Sequence, residues 1–305
     1  MIFARWSGLL TGFILSMSHA LYAEEPLAPP AFLPAESTHI NWTFSGVVAN
    51  ENGENYGYLF QMQREDNQFH VITALFDAQT KQLLIQEDSH AILSDANTFN
   101  WQVGHSFLRF NPINASWIFG LKDGNKKGFN FKIDMLKQSE REQTTQGLRQ
   151  GVEMMVRQTG QLNGHIQFDD NKEQFVTAKN AWFRQFWLTD HQEKTHQLSG
   201  VLCRFNDGSA FYSMNMPEAD ALRGATAGWF DPQGLPTTMS QFINVKQMPE
   251  GGAWHIRIAS PSLHLILNDS IQHDSVVAGF IDEKDRQGFC MLSNDAIGDE
   301  VKAPG

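Results

Sequence analysis

The feature that most constrains the fold is a β-hairpin pattern that occurs twice, about 154 residues apart. The first copy reads Ser45-Gly46-Val47-Val48, then Asn52-Gly53, then Tyr58-Leu59-Phe60; the second reads Ser199-Gly200-Val201-Leu202, then Asp207-Gly208, then Phe211-Tyr212. Asn-Gly and Asp-Gly between alternating apolar strands signal hairpins, because both central residues of a tight two-residue turn need φ > 0. Trp101 and Trp254, each near the start of a strand-like run, recur at about 153 residues. The pattern reads as a duplicated all-β unit, with chance similarity between two unrelated hairpins as the competing reading.

Period-two alternation extends this reading along the chain. Tyr56, Tyr58, Phe60 and Met62 alternate with Gly57, Leu59, Gln61 and Gln63, and Phe129, Phe131, Ile133 and Met135 alternate with polar neighbours. Trp254, Ile256 and Ile258, then Leu263, Leu265 and Leu267, repeat the pattern in the second half. This is how half-buried strands look. Segment 137–150 is the best helical candidate, but it lacks an apolar face to bury and reads as a polar excursion or lid loop. The expected fold class is all-β, with two tandem antiparallel β-barrels or strongly curved sheets of roughly eight strands each. Evenly spaced short strands leave a pair of β-sandwiches open as the alternative.

Residues 1–23 read as a secretory signal peptide: Arg5 precedes an apolar run from Gly8 to Met17, and Ser18-His19-Ala20 or Leu21-Tyr22-Ala23 offers the cleavage point. The run is shorter than the roughly 20 residues of a spanning helix, so an uncleaved anchor is the weaker alternative. A Pro-rich lead-in follows over 24–37, then a first β domain over 38–190, a second over 191–297, and a tail over 298–305. Cleavage leaves 22 Lys plus Arg against 34 Asp plus Glu, a formal charge of −12. An acidic chain without a basic run argues against nucleic acid and anionic membrane surfaces as partners. A periplasmic or secreted bacterial protein, not integral to the membrane after cleavage, is the expected localisation.

The chain has two cysteines. Cys203 falls on the first hairpin strand of the second copy and Cys290 on its last apolar strand, which barrel closure sets side by side. A disulfide here adds about 4 kcal/mol on the chain-entropy model; two buried free thiols are the other reading.

Several segments resemble the carotenoid 1,2-hydratase (hydroxyneurosporene synthase) family and its AttH-like relatives. Asn41-Trp42-Thr43-Phe44-Ser45-Gly46, followed by Tyr56-Gly57-Tyr58-Leu59-Phe60-Gln61, is similar to that family's N-terminal W-W-Y-x-T-G and Y-G-Y-Q-x-x-F stretch. The run from Gly164 to Trp187 resembles the block leading into its aromatic-x-Asp-His-x-Trp-Gly motif. Leu202 to Ser209 and Gly228 to Gly234 resemble its L-x-L-x-D-G and D-x-x-G turns. The resemblance spans about residues 38–293 and implies two lipocalin-like domains.

The departures bear on function. Where the hydratases are expected to place an acid and a His for protonating a double bond, this chain has Arg184 and Gln185. Arg does not donate a proton usefully at any relevant pH, and Gln does not titrate. The family's closing Tyr-Trp-Glu-Gly is replaced by Val276-Val277-Ala278-Gly279. Hydratase chemistry is therefore not carried over, and no catalytic residue is expected.

The candidate ligand-binding residues are Trp182, Arg184, Phe186 and Trp187. Alternation places Trp182, Arg184 and Phe186 on one face, with Phe183, Gln185 and Trp187 on the other. If Arg184 points into a cavity, it can hold a carboxylate or phosphate head group; if it points outward, it stacks on a ring. The eleven His are scattered, and only 190–196 groups several ligand types in sequence. Its i, i+5 His pair matches no zinc spacing and reads as a solvated linker, so no metal or other cofactor is expected. There is no G-x-S-x-G elbow, P-loop or dinucleotide fingerprint. The leading expectation is an exported, non-catalytic carrier for an apolar or amphipathic, lipid- or isoprenoid-like ligand. The resemblance supplies two alternatives: a carotenoid 1,2-hydratase-like lyase, and an accessory subunit of an ABC-type envelope transport complex.

Overall fold

Alternating segments become strands nearly throughout in the computed structural model, which describes residues 37–96, 98–124, 127–135, 145–148, 151–168, 172–189, 196–216, 225–240, 243–249, 252–268, 271–273, 275–283 and 286–297. The signal peptide, the lead-in up to residue 36, the linker 190–195 and the tail 298–305 lie outside the described residues. Among the described residues every regular element is a strand.

The first sheet contains β1 (His39–Asn50), β2 (Asn55–Glu65), β3 (Gln68–Asp77), β4 (Leu83–Ile92), β5 (Asn100–Val103), β6 (Ser106–Asn111), β7 (Ser116–Lys122), β8 (Gly128–Asp134), β9 (Thr145–Gly147), β10 (Val152–Gln158), β11 (Leu162–Gln167), β12 (Gln174–Ala178) and β13 (Trp182–Leu188). The second contains β14 (His196–Phe205), β15 (Ala210–Asn215), β16 (Ala225–Phe230), β17 (Pro236–Thr237), β18 (Ile243–Gln247), β19 (Ala253–Ile258), β20 (Leu263–Asn268), β21 (Ile271–His273), β22 (Val276–Glu283) and β23 (Arg286–Ile297). These are tandem lipocalin-like β-barrels. The first is nearly closed and the second is a half-barrel. The segment expected as a polar loop contributes β9, which pairs with β10.

Strand order in the first sheet is β4-β3-β2-β1-β12-β11-β8-β7-β6-β5, with β13 on β1 and extended by β10 and β9. Its two ends are joined by side chains. Glu87 on β4 accepts from the His105 backbone N–H at 2.7 Å and from Ser106 Oγ at 2.5 Å, and Ser106 Oγ lies 3.0 Å from Thr73 Oγ1 on β3. The barrel interior is packed with rings: Phe44 stacks on Phe119 at 4.2 Å, Trp42 lies tilted against Trp101 at 4.8 Å, and Tyr58 meets Phe131 edge-on at 5.0 Å. Such ring-on-ring packing fills the barrel side of these strands with aromatic surface.

The second sheet runs β17-β16-β15-β14-β23-β22-β20-β19-β18. Its concave side holds a smaller apolar core that includes Val201, Phe211, Trp229, Ile256 and Leu265. Cys203 and Cys290 are directly opposed on β14 and β23, with Cα atoms 4.2 Å apart, and are joined as a disulfide within this core.

The two sheets do not bury separate cores on their facing sides. One apolar cluster is built from both, with Leu59, Phe76, Trp182 and Phe186 from the first and Leu202, Tyr212, Phe280 and Phe289 from the second. Gly57 permits this approach: a Cβ there would come within 2.5 Å of the Phe289 ring.

Both repeated hairpins are present, with a different turn from the one expected. Each closes through a three-residue loop. Asn50 N–H donates to the Glu54 carbonyl and Gly53 N–H to the Asn50 carbonyl; Phe205 with Ser209, and Gly208 with Phe205, repeat the arrangement. Only the glycines have positive φ, +83° at Gly53 and +92° at Gly208. This is a type I turn followed by a left-handed glycine. Asn50 Oδ1 accepts from the N–H groups of Asn52 and Glu54, holding the first loop in that form. The tryptophan spacing does not carry the repeat. Counted outward from β1 and β14, the counterpart of β19, with Trp254, is β7, with Trp117; β5, with Trp101, has no counterpart in the second sheet.

Candidate functional site

Every position of β13 is buried, because the strand is covered on both faces. Phe183 faces the ring-filled barrel, 5.1 Å from Phe44 and 6.2 Å from Trp117. Gln185 and Trp187 share that face. Among the described residues, neither amide atom of Gln185 has a hydrogen-bond partner, nor does the indole N–H of Trp42 opposite it on β1.

The other face of β13 meets the second sheet. Trp182 Nε1–H donates to the Cys203 carbonyl at 2.9 Å, and its ring lies edge-on to Tyr212 and Phe230. Arg184 sits between the sheets with no exposed side-chain surface. Its Nη2 reaches Asp295 Oδ2 at 3.0 Å and Thr43 Oγ1 at 2.8 Å; its Nη1 reaches Ser293 Oγ at 2.6 Å. The guanidinium also lies 5.3 Å from the Phe186 ring centre. Asp295 Oδ1 accepts from Gln61 Nε2 at 2.5 Å and faces Asn41 Nδ2 at 3.5 Å. Burial pulls the Arg184 guanidinium below its ordinary pKa, and the Asp295 carboxylate opposes that pull.

This polar network ties β1, β2 and β13 to β23. Gly200 on β14 makes space for it, since a Cβ there would lie 2.9 Å from Arg184 Nη1 and 2.9 Å from Ser293 Oγ. The residue type that departs from the hydratase pattern at 184 is thus matched by a carboxylate 111 residues away on the facing sheet. Trp182, Arg184, Phe186 and Trp187 are brought together on one strand, and none of them borders the half-barrel cavity or the concavity on the first sheet that are described next.

A ligand-sized space lies in the half-barrel. A cavity of about 770 Å³ opens on the concave side of the second sheet, within the range of small-molecule sites. Ser199, Val201, Ser213, Asn215, Leu292 and Asn294 line one wall; Ile243, Val245, Gln247 and Trp254 line the other. Ser199 Oγ donates to Asn294 Oδ1 at 3.2 Å. Among the described residues the lining holds hydroxyls, amides and apolar groups, and no side chain that titrates. Ser199 and Val201 belong to the repeated hairpin. Their alternation with Gly200 and Leu202 was the sequence signal for a second inward face, although nothing in sequence distinguished an open interior from a filled one.

A second concavity, about 500 Å³, lies on the first sheet and is lined by Gln63, Glu65, Gln68, Phe69, His70, His90, Ala91 and Ile92. His70 and His90 are directly opposed on β3 and β4, and Asp88 lies two residues before His90 on the same face. Of the 190–196 segment, only His196 lies among the described residues, so the sequence grouping is not tested there.

No protein-family model matches the chain, and no curated protein matches it in sequence. Solved structures do match. An AttH-like protein of Nitrosomonas europaea superposes with a TM-score of 0.58 at 13% identity, covering 84% of this chain and 92% of the other. Kievitone hydratase from Nectria haematococca superposes with a TM-score of 0.56 at 8% identity, covering 88% and 93%. At these identities the likeness establishes a shared fold.

Proposed function

Starting from that shared fold, we propose that this chain is an exported carrier that holds an apolar or amphipathic molecule in the half-barrel cavity without transforming it. The observation that carries this reading is the cavity itself: about 770 Å³ of space whose described lining has no proton donor or acceptor that titrates. Val201, Ile243, Val245, Leu292 and Trp254 suit an apolar body. Ser213, Asn215 and Asn294 suit neutral hydroxyl or carbonyl groups better than a charged head.

The alternative is a hydratase-like lyase, favoured by the fold shared with kievitone hydratase. Adding water across a double bond calls for a proton donor beside the ligand. The buried carboxylate of Asp295, next to the lining residue Asn294, is held by Arg184, Gln61 and Asn41. That arrangement supports binding over chemistry.

The test is titration with a polarity-sensitive fluorescent apolar probe, read by energy transfer from Trp254. Saturable binding with one probe per chain, with transfer reduced in Trp254→Phe, supports the reading. Absence of saturable binding refutes it. Incubation with an isoprenoid followed by mass spectrometry separates the alternatives: the carrier returns the molecule unchanged, whereas a hydratase returns it with the mass of one water added.

A further inference from the structure

The β3–β4 pairing brings His70 to Asp88 and His90, which share one face of β4. His70 and His90 face each other across the ladder, with their rings nearly parallel, 7° apart, and their centres separated by 3.9 Å. The Nε2 atoms of both lie near the same carboxylate oxygen: His70 Nε2 is 2.7 Å and His90 Nε2 3.9 Å from Asp88 Oδ1. One ligand atom from each residue falls within 4.8 Å of the other two. Around a tetrahedral ion with bonds near 2.0–2.1 Å, neighbouring ligand atoms sit about 3.3 Å apart. The two measured separations to Asp88 Oδ1, 2.7 and 3.9 Å, bracket that value.

We propose that His70, Asp88 and His90 form a binding site for a divalent transition-metal ion. Two imidazoles and one carboxylate match the preference of Zn²⁺ and its neighbours, whereas Mg²⁺ and Ca²⁺ select all-oxygen sets. Three ligands leave a fourth position, and it opens onto the 500 Å³ concavity bordered by Glu65 and Gln68. The ion there can take water or an incoming donor group as its fourth ligand. His90 is 73% exposed and Asp88 30%, so the site is reachable from solvent. Paired strands hold both His backbones, which gives the site a rigid base. The site is separate from the half-barrel cavity, and neither proposal depends on the other.

The experiment is isothermal titration of untagged full-length protein with Zn²⁺, with Mg²⁺ as the control ion. The variants are His90→Ala and the double variant His70→Ala/His90→Ala. One Zn²⁺ per chain, an affinity weakened roughly 100-fold or more in His90→Ala, and no response to Mg²⁺ are the expected results. Exposure of His90 predicts an unchanged urea midpoint for that variant, so loss of binding is not loss of fold. X-ray absorption at the zinc edge should show two imidazole ligands. The proposal is overturned if Zn²⁺ produces no saturable heat, or if its binding survives in the double variant.

Discussion

Replacing Arg184 with Met should destabilise the protein strongly while leaving the half-barrel cavity able to bind. The substitution keeps most of the side-chain volume and removes the charge. It leaves the Asp295 carboxylate buried with only neutral donors, Gln61 at 2.5 Å and Asn41 at 3.5 Å, and it strips partners from Thr43 and Ser293. Removing one member of a buried ion pair costs about 3–5 kcal/mol. For a chain of this size that lowers Tm by roughly 10 °C. Asp295→Asn should do comparable damage by leaving the cation unpaired. The double variant Arg184→Met/Asp295→Asn should be less destabilised than the sum of the two, with a coupling of about 3 kcal/mol or less. Urea unfolding of the four proteins, followed by tryptophan fluorescence, measures the cycle. Probe affinity in Arg184→Met should match the parent, because Arg184 itself is not among the residues that line the cavity. Single variants within about 0.5 kcal/mol of the parent, or strictly additive effects, would refute the reasoning.

Three further perturbations follow from the packing. Cys203→Ala/Cys290→Ala should lose about 4 kcal/mol by urea unfolding, since the bridge closes a sequence separation of 87 residues. Gly200→Ala should cost about 1–3 kcal/mol, because the new methyl group presses on Met214, Arg184 and Ser293; Gly53→Ala, with open space around it, should act only through its backbone. Alkaline pH should also weaken the fold. Burial and the Glu54 carboxylate push the Tyr56 phenol up to about 12. The neutral phenol therefore favours the folded state fully below pH about 10, and that contribution is lost as pH rises through about 12. Urea midpoints measured across this window should fall less steeply in Tyr56→Phe.

The alternation of residues 56–62, 129–135 and 254–267 made the strands legible, because period two is imposed locally by the pleat. The Ser-Gly-Val hairpins marked where each half begins for the same local reason. What remained hidden depends on long-range pairing. On β13 both faces are buried, so alternation separated Trp182, Arg184 and Phe186 from Phe183, Gln185 and Trp187 without indicating that the first set meets another sheet. Arg184 looked like a group seeking a ligand because its partner, Asp295, lies 111 residues away. His70 lies 18 residues before Asp88 and joins Asp88 and His90 only through the β3–β4 register. The cavity likewise arises from strand count and curvature: the first sheet nearly closes around its rings, and the second stops at a half-barrel.

The carrier reading stands most directly on what occupies the half-barrel. The measurement is solvent extraction and mass spectrometry of protein purified from its native compartment, beside Ser213→Trp, whose indole projects into the cavity from β15. A carrier yields one apolar or amphipathic species in near-stoichiometric amount from the parent and little from the folded variant. Equal recovery from both proteins, or an empty parent that also fails to bind added apolar probes, would contradict it.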